Sequence, residues 1–254
     1  MLILLSNDDG YQAKGVRQLM GWLSRFGRVV AVCPDTGRSG QSMALTFNAP
    51  LRVEQTESPV EGCELWHCSG TPVDCIKIAQ HTILNGEKPD LVVAGINHGS
   101  NSSVNVLYSG TMGAVFEGCS WNVPAVGFSL TDHHPDADFS ACEGVVCRVV
   151  EEVLKNGLPD GICLNVNIPK SGKPGMPIRL TRACRGRWSE EFRRYTDPMG
   201  KPFYWLTGEF INEEPNATDT DEAALARGEA SVVAETLDRT ASTSQTPAWL
   251  RQAF

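Results

Sequence analysis

Unbroken apolar runs alternate along the first two thirds of the chain with segments whose apolar positions recur every three or four residues. Leu2-Ile3-Leu4-Leu5 shows no polar alternation, the pattern of a parallel strand buried on both faces. Val16, Leu19, Met20, Leu23 and Phe26 recur at helical spacing and predict an amphipathic helix over 13–26, closed by Gly27. Arg28 to Cys33 is a second strand, and 51–56 with 63–69 predict two more as an edge hairpin or insertion. Thr71-Pro72-Val73-Asp74 opens a helix, with Thr71 as cap, Pro72 at the first helical position and Asp74 facing the first amides. Leu91 to Ala94 is the next buried strand, followed by a polar loop over 95–103 and a helix entered through Tyr108 to Gly113 and running through Glu117. A strand at Pro124–Phe128, a helix marked by Val145 to Leu154 and a strand at Ile162–Val166 continue the alternation.

This order predicts an α/β fold with a Rossmann-like, open, mainly parallel sheet and flanking helices over 1–170. Ser171-Gly172-Lys173-Pro174-Gly175 marks a boundary, and beyond it the pattern turns aromatic and strand-like at 203–206 and 210–211. Residues 176–254 therefore read as a C-terminal appendage of β-hairpin and helix, which packs against or exchanges with a second subunit.

Composition narrows the classes. In 254 residues with 41% hydrophobic content there is enough to fill one large core, and 30 acidic against 22 basic residues give a net charge of −8. That balance argues against binding nucleic acid polymers and leaves anion recognition to local devices. Nine cysteines, odd in number and mostly within apolar runs, read as reduced core thiols. The apolar run at residues 2–5 has no positive segment before it and no stretch is long enough to span a membrane, so the expected location is cytoplasmic.

The chemistry gathers at strand ends. The first strand stops at Asn7-Asp8-Asp9-Gly10, and adjacent Asp side chains on a regular strand point to opposite faces, so one site can use both only where the backbone has turned. Such a pair calls for a cation, and the carboxyl end of a central strand is where open α/β sheets place ligands. The second strand delivers Arg38, Ser39 and Ser42 to the same rim, and the loop after 91–94 delivers Asn97. Asp8, Asp9, Ser39 and Asn97 thus supply hard oxygen ligands suited to one Mg²⁺ or Mn²⁺ rather than Zn²⁺. Beside them, Asn101 and the helix start Ser109-Gly110-Thr111 offer amides and hydroxyls to a phosphate. Together these predict hydrolysis of a phosphomonoester by a metal-activated water, with Asp8, Asp9 and Asn97 as the catalytic group. His98 reads equally as a proton donor to the leaving group or as a hydrogen-bonded side chain. Asp132-His133-His134-Pro135-Asp136 lacks ligand spacing and reads as a solvated loop, and Arg179, Arg182, Arg185, Arg187, Arg193 and Arg194 read as a salt-bridged face.

A signalling alternative, a receiver-like metal-binding module without hydrolase activity, requires a phosphorylatable Asp at the end of the third central strand. Here Asp90 precedes that strand and Asn97 follows it.

The motifs Leu4-Leu5-Ser6-Asn7-Asp8-Asp9-Gly10, Arg38-Ser39-Gly40, Gly70-Thr71-Pro72-Val73-Asp74-Cys75, Gly95-Ile96-Asn97 with Asn101, and Tyr108-Ser109-Gly110-Thr111 resemble, in order, those of the SurE survival-protein family of metal-dependent nucleotidases. The resemblance implies Asp8, Asp9, Ser39 and Asn97 as metal ligands. It also implies nucleoside 5′- and 3′-monophosphates as substrates, sometimes short polyphosphate, and a homodimer or homotetramer joined through the C-terminal segment. Ser103 stands where that family usually carries Gly, at a turn that calls for positive φ, and Ala94 replaces a usual Ser.

Overall fold

In this computed structural model, residues 1–242, 244–245 and 247–253 are described; residues 243, 246 and 254 of the expected appendage lie outside them. The elements follow as β1 (Leu2–Ser6), α1 (Lys14–Leu23), β2 (Arg28–Pro34), β3 (Val53–Thr56), β4 (Glu64–Cys68), α2 (Pro72–Ile78), β5 (Leu91–His98), α3 (Gly110–Cys119), β6 (Ala125–Leu130), α4 (Cys142–Asn156) and β7 (Ile162–Ile168). They continue with β8 (Ile178–Thr181), β9 (Gly186–Ser189), β10 (Phe192–Thr196), β11 (Pro202–Leu206), β12 (Glu209–Asn212), α5 (Asp221–Ala226), β13 (Ala230–Thr236) and α6 (Ala248–Ala253).

Nine strands form one sheet in the order β3-β4-β2-β1-β5-β6-β7-β13-β8. The pairs from β4 to β7 are parallel, while β3 on β4 and β13 on β7 are antiparallel. The chain leaves β1 toward β2 and β4, then returns to the other side of β1 with β5. The order reverses there, so the crevice at the carboxyl ends of β1 and β5 is the switch point of the sheet.

Alternation along β1 builds the two cores. Ile3 and Leu5 pack with Val16, Leu19 and Met20 of α1 and with Val145 to Val153 of α4, whereas Leu2 and Leu4 pack with Ile76 of α2 and Met112, Val115 and Phe116 of α3. The sheet is thus covered on both faces, which is why its central strands carry no polar alternation. No helix among the described residues is long and apolar enough to cross a membrane. All nine cysteines are free thiols, and eight are buried.

Two expectations change. The polar stretch after Ala94 is not all loop: β5 runs on to His98, with an irregularity between Ala94 and Asn97 that keeps Asn97 paired beside Ser129. The boundary at 171–175 does not divide the sheet either, since β8 and β13, on its far side, complete the sheet next to β7. Only β9 to β12 stand apart, as two two-stranded sheets pairing β9 with β12 and β10 with β11.

Candidate metal and phosphate site

At the end of β1 the chain turns at once. Asn7 Nδ2 donates to Gly10 O at 2.9 Å, and Gly10 takes φ +100° against the backbone of Thr36 and Gly37. The turn sends the two carboxylates to different neighbours. Asp8, 3% exposed, accepts from the Thr111 hydroxyl at the start of α3. Asp9, half-buried, accepts from the His98 backbone N–H at 3.1 Å, at the end of β5.

α3 reaches Asp8 because its first residue has no side chain. A Cβ on Gly110 would stand 2.9 Å from Asp8 Cβ and 3.3 Å from Arg38 O. Ser109 caps the helix, accepting from the Met112 amide at 3.0 Å. The side chains of Ser109 and Thr111, expected at the phosphate, are thus engaged with the helix and with Asp8, and the helix start itself is what faces the site.

The loop after β2 joins through its backbone: Arg38 N donates to Asp8 O at 2.7 Å, and Ser39 follows, exposed at the mouth. The far side of that loop is clamped by the start of α2. Thr71 and Asp74 form a reciprocal capping box, while Thr71 Oγ1 also donates to Ala44 O at 2.7 Å and Thr46 Oγ1 to Asp74 Oδ2 at 2.6 Å. The capping role was legible in the sequence; the hold on the 38–46 loop was not.

Asn97 donates through Nδ2 to Gly99 O at 2.8 Å, which leaves its side-chain oxygen as the available ligand atom. Asn101 is a floor anchor: its amides donate to Asn167 Oδ1 and Ser129 Oγ, both at 2.8 Å. His98 donates from Nδ1 to His134 O at 3.1 Å and meets Phe139 edge-on, and its ring stays close enough for its charge to act on Asp9. Its hydrogen-bonded reading is the one found. His133, read with its neighbours as a solvated loop residue, is exposed but lays its ring over Gly99, close enough for its charge to act on Asp9. Consecutive His residues in a loop carry no spacing that announces this.

Burial, and then the charge of Asp9, push the Asp8 carboxyl up to about 6. Burial also raises Asp9, offset in part by the His98 amide. Two carboxylates are crowded in one partly dry place, where the charges of His98 and His133 act on Asp9 alone, and no three or more His, Cys, Asp or Glu side chains converge to hold a metal among the described residues. Two carboxylates with neutral oxygens nearby in the sheet rim are a donor set that fits a hard divalent ion rather than a soft one.

The family model described as Survival protein SurE matches residues 3–190. A 5′-nucleotidase SurE of Phocaeicola vulgatus is 46% identical over 240 residues, covering 94% of this chain and 92% of that protein. One of Cytophaga hutchinsonii is 47% identical over 241 residues, with the same shares covered. Among solved structures, the SurE protein of Aquifex aeolicus superposes with a TM-score of 0.80 at 36% identity, over 94% of this chain and 95% of that one.

Proposed function

The chain belongs to the SurE family of survival proteins, and from that premise we propose that it is a divalent-cation-dependent nucleotidase. It hydrolyses nucleoside 5′-monophosphates to nucleoside and phosphate, with 3′-monophosphates and short polyphosphate as further substrates. The observation that carries this reading is the buried pair Asp8 and Asp9 at the switch point, held on one side by Thr111 and on the other by the end of β5.

Asp8, Asp9, Asn97 and Ser39 would hold one Mg²⁺ or Mn²⁺. Bound there, the ion supplies charge neutralisation to the phosphoryl oxygens and a lowered pKa to the attacking water. The protein's own groups do the rest. Thr111 and the start of α3 keep Asp8 ionised and aimed, and the His98 amide fixes Asp9. The first amide of α3, at Gly110, lacks a partner within the helix and receives a phosphoryl oxygen, while the Thr111 amide holds Asp8 and Asn101 anchors the floor of the facing loop. The receiver-like alternative gains no support, since β5, the strand beside β1, carries Asn97 next to its last residue, an amide unable to carry a phosphoryl group.

We place the protein in the cytoplasm as a dimer or tetramer. The hairpin of β10 and β11 is exposed on every residue, with Phe192 66% and Trp205 63% exposed, which suits coverage by a second copy.

The test is phosphate release from a panel of nucleoside monophosphates with added Mn²⁺ or Mg²⁺, run on the wild type and on Asp9→Asn. The variant is expected to keep its fold and lose most turnover, because a neutral amide is a weaker ligand for a hard cation. No release by the wild type from any nucleotide would sink the assignment, and undiminished release by Asp9→Asn would remove Asp9 from the ligand set.

A further inference from the structure

The loop beyond Asn97 is held by a part of the chain that carries none of the motifs for the reaction. Because Asn97 donates to Gly99 O, the direction of its oxygen follows the path of residues 99–103. That path passes through Ser103 at φ +53°, a left-handed conformation that a serine keeps only when its surroundings hold it there.

What holds it is the first turn of α5. Asp221, 0% exposed, accepts the Ser103 amide at 2.7 Å on Oδ2 and the Cys184 amide at 2.8 Å on Oδ1. Ser103 Oγ donates to Cys184 O at 2.7 Å, closing a ring of three bonds around the turn. Glu222 adds a second grip by accepting from Ser102 Oγ. Gly186 keeps the space free, since a Cβ there would stand 2.8 Å from Ser103 Oγ. Capping α5 requires none of these: that work falls to Thr220, whose Oγ1 accepts the Ala223 amide at 3.2 Å.

We propose that Asp221, seconded by Glu222, is a positioning residue for the metal and phosphate site, fixing the 99–103 loop so that the Asn97 oxygen faces the ligand. This deepens the nucleotidase reading and rests on it. Asp221 touches neither ligand nor reacting atoms; it acts through Ser103.

Asp221→Asn keeps the shape of the side chain but sets an amide NH₂ against one of the two backbone donors. By calorimetry on the full chain, its Mn²⁺ dissociation constant is expected to rise about tenfold, and kcat for adenosine 5′-monophosphate to fall about tenfold to a hundredfold, with KM little changed. Thr220→Ala, which loosens α5 without touching the loop, is expected to lower the thermal midpoint while keeping wild-type Mn²⁺ affinity and kcat. Should Asp221→Asn fail to fold, Ser102→Ala releases Glu222, together with the Ser100 hydroxyl, and is expected to weaken Mn²⁺ about threefold. Wild-type Mn²⁺ binding and turnover in the folded Asp221→Asn, or equal losses in Thr220→Ala, overturns the proposal; if neither Asp221→Asn nor any loss in Ser102→Ala can be obtained, it falls as well. A wild type that binds Mn²⁺ yet releases no phosphate overturns the nucleotidase reading alone, and the calorimetry then still decides for Asp221.

Discussion

At the scale of single residues, Asp8 bears the largest electrostatic load. Its carboxyl is raised from 3.8 to about 6 by burial and by Asp9, so between those values unfolding releases a proton. The stability tied to this group is fully present below its unfolded value near 3.8 and is lost as pH rises through 6. Above pH 7 the metal-free fold thus carries a penalty of roughly 3 kcal/mol at this one side chain. Asp8→Asn is expected to raise the thermal midpoint of the chelator-treated protein at pH 7.5, and to remove the further rise that Mn²⁺ gives the wild type. Differential scanning calorimetry with and without Mn²⁺ reads both; a lowered midpoint in chelator would contradict the assignment of strain to Asp8. His133 marks the opposite case at this scale. Nothing near it in the sequence signals an approach to Gly99, because the contact depends on where a loop lands after β6 rather than on any local pattern.

At the scale of elements, the parts most legible beforehand were those whose form is dictated by burial on both faces. β1, β2 and the first half of β5 are apolar runs, β7 opens with one at Ile162-Cys163-Leu164, and α1 and α4 are amphipathic repeats, so periodicity found them. β13 escaped because the sheet packs it through polar contacts: Ser231 is 0% exposed yet shares a hydrogen bond with Thr181, and the strand therefore looks mixed in sequence. The second half of β5 escaped because Gly95 and Asn97 resemble loop residues even where they lie in the sheet. α2 was read correctly as a capped helix, but its cap does double duty. Asp74→Ala removes both the capping box and the anchor for Thr46, and is expected to lower unfolding free energy by about 2–3 kcal/mol in urea titrations. It should also raise the Mn²⁺ needed for half-maximal phosphate release, since the loop bearing Ser39 loses its clamp. A Mn²⁺ requirement identical to wild type would confine Asp74 to helix stability.

At the scale of the molecule, the site draws on the whole sheet: β1 supplies the carboxylates, the loop after β2 the hydroxyl, β5 the amide and α3 the helix start. The four proposed ligand positions stand at or just beyond the carboxyl ends of β1, β2 and β5, at one rim of the sheet, a placement the α/β order imposes. Of the hairpin, β11 was legible as aromatic strand, whereas β10, with Arg193 and Arg194 read as part of a salt-bridged face, and the exposure of both strands were not. Replacing Phe192, Trp205 and Leu206 by Ser is expected to shift the protein to monomer mass in light scattering, while the circular dichroism of the core stays unchanged. A wild type already monomeric at micromolar concentration would leave that face without a second copy.

The position of β13 governs how the chain is made. β8 has no partner in the sheet except β13, and β13 lies between β8 and β7 although 230–236 leave the ribosome well after 178–181. Until those last residues emerge, the nascent chain presents β7 as an open edge, a ready template for another strand. Closing it requires a contact that spans the entire intervening arm, a slow step by the logic of contact order. Stop codons or proteolytic nicks before 230 would therefore do more harm than their distance from the chemistry suggests, because they leave the growing sheet permanently unfinished.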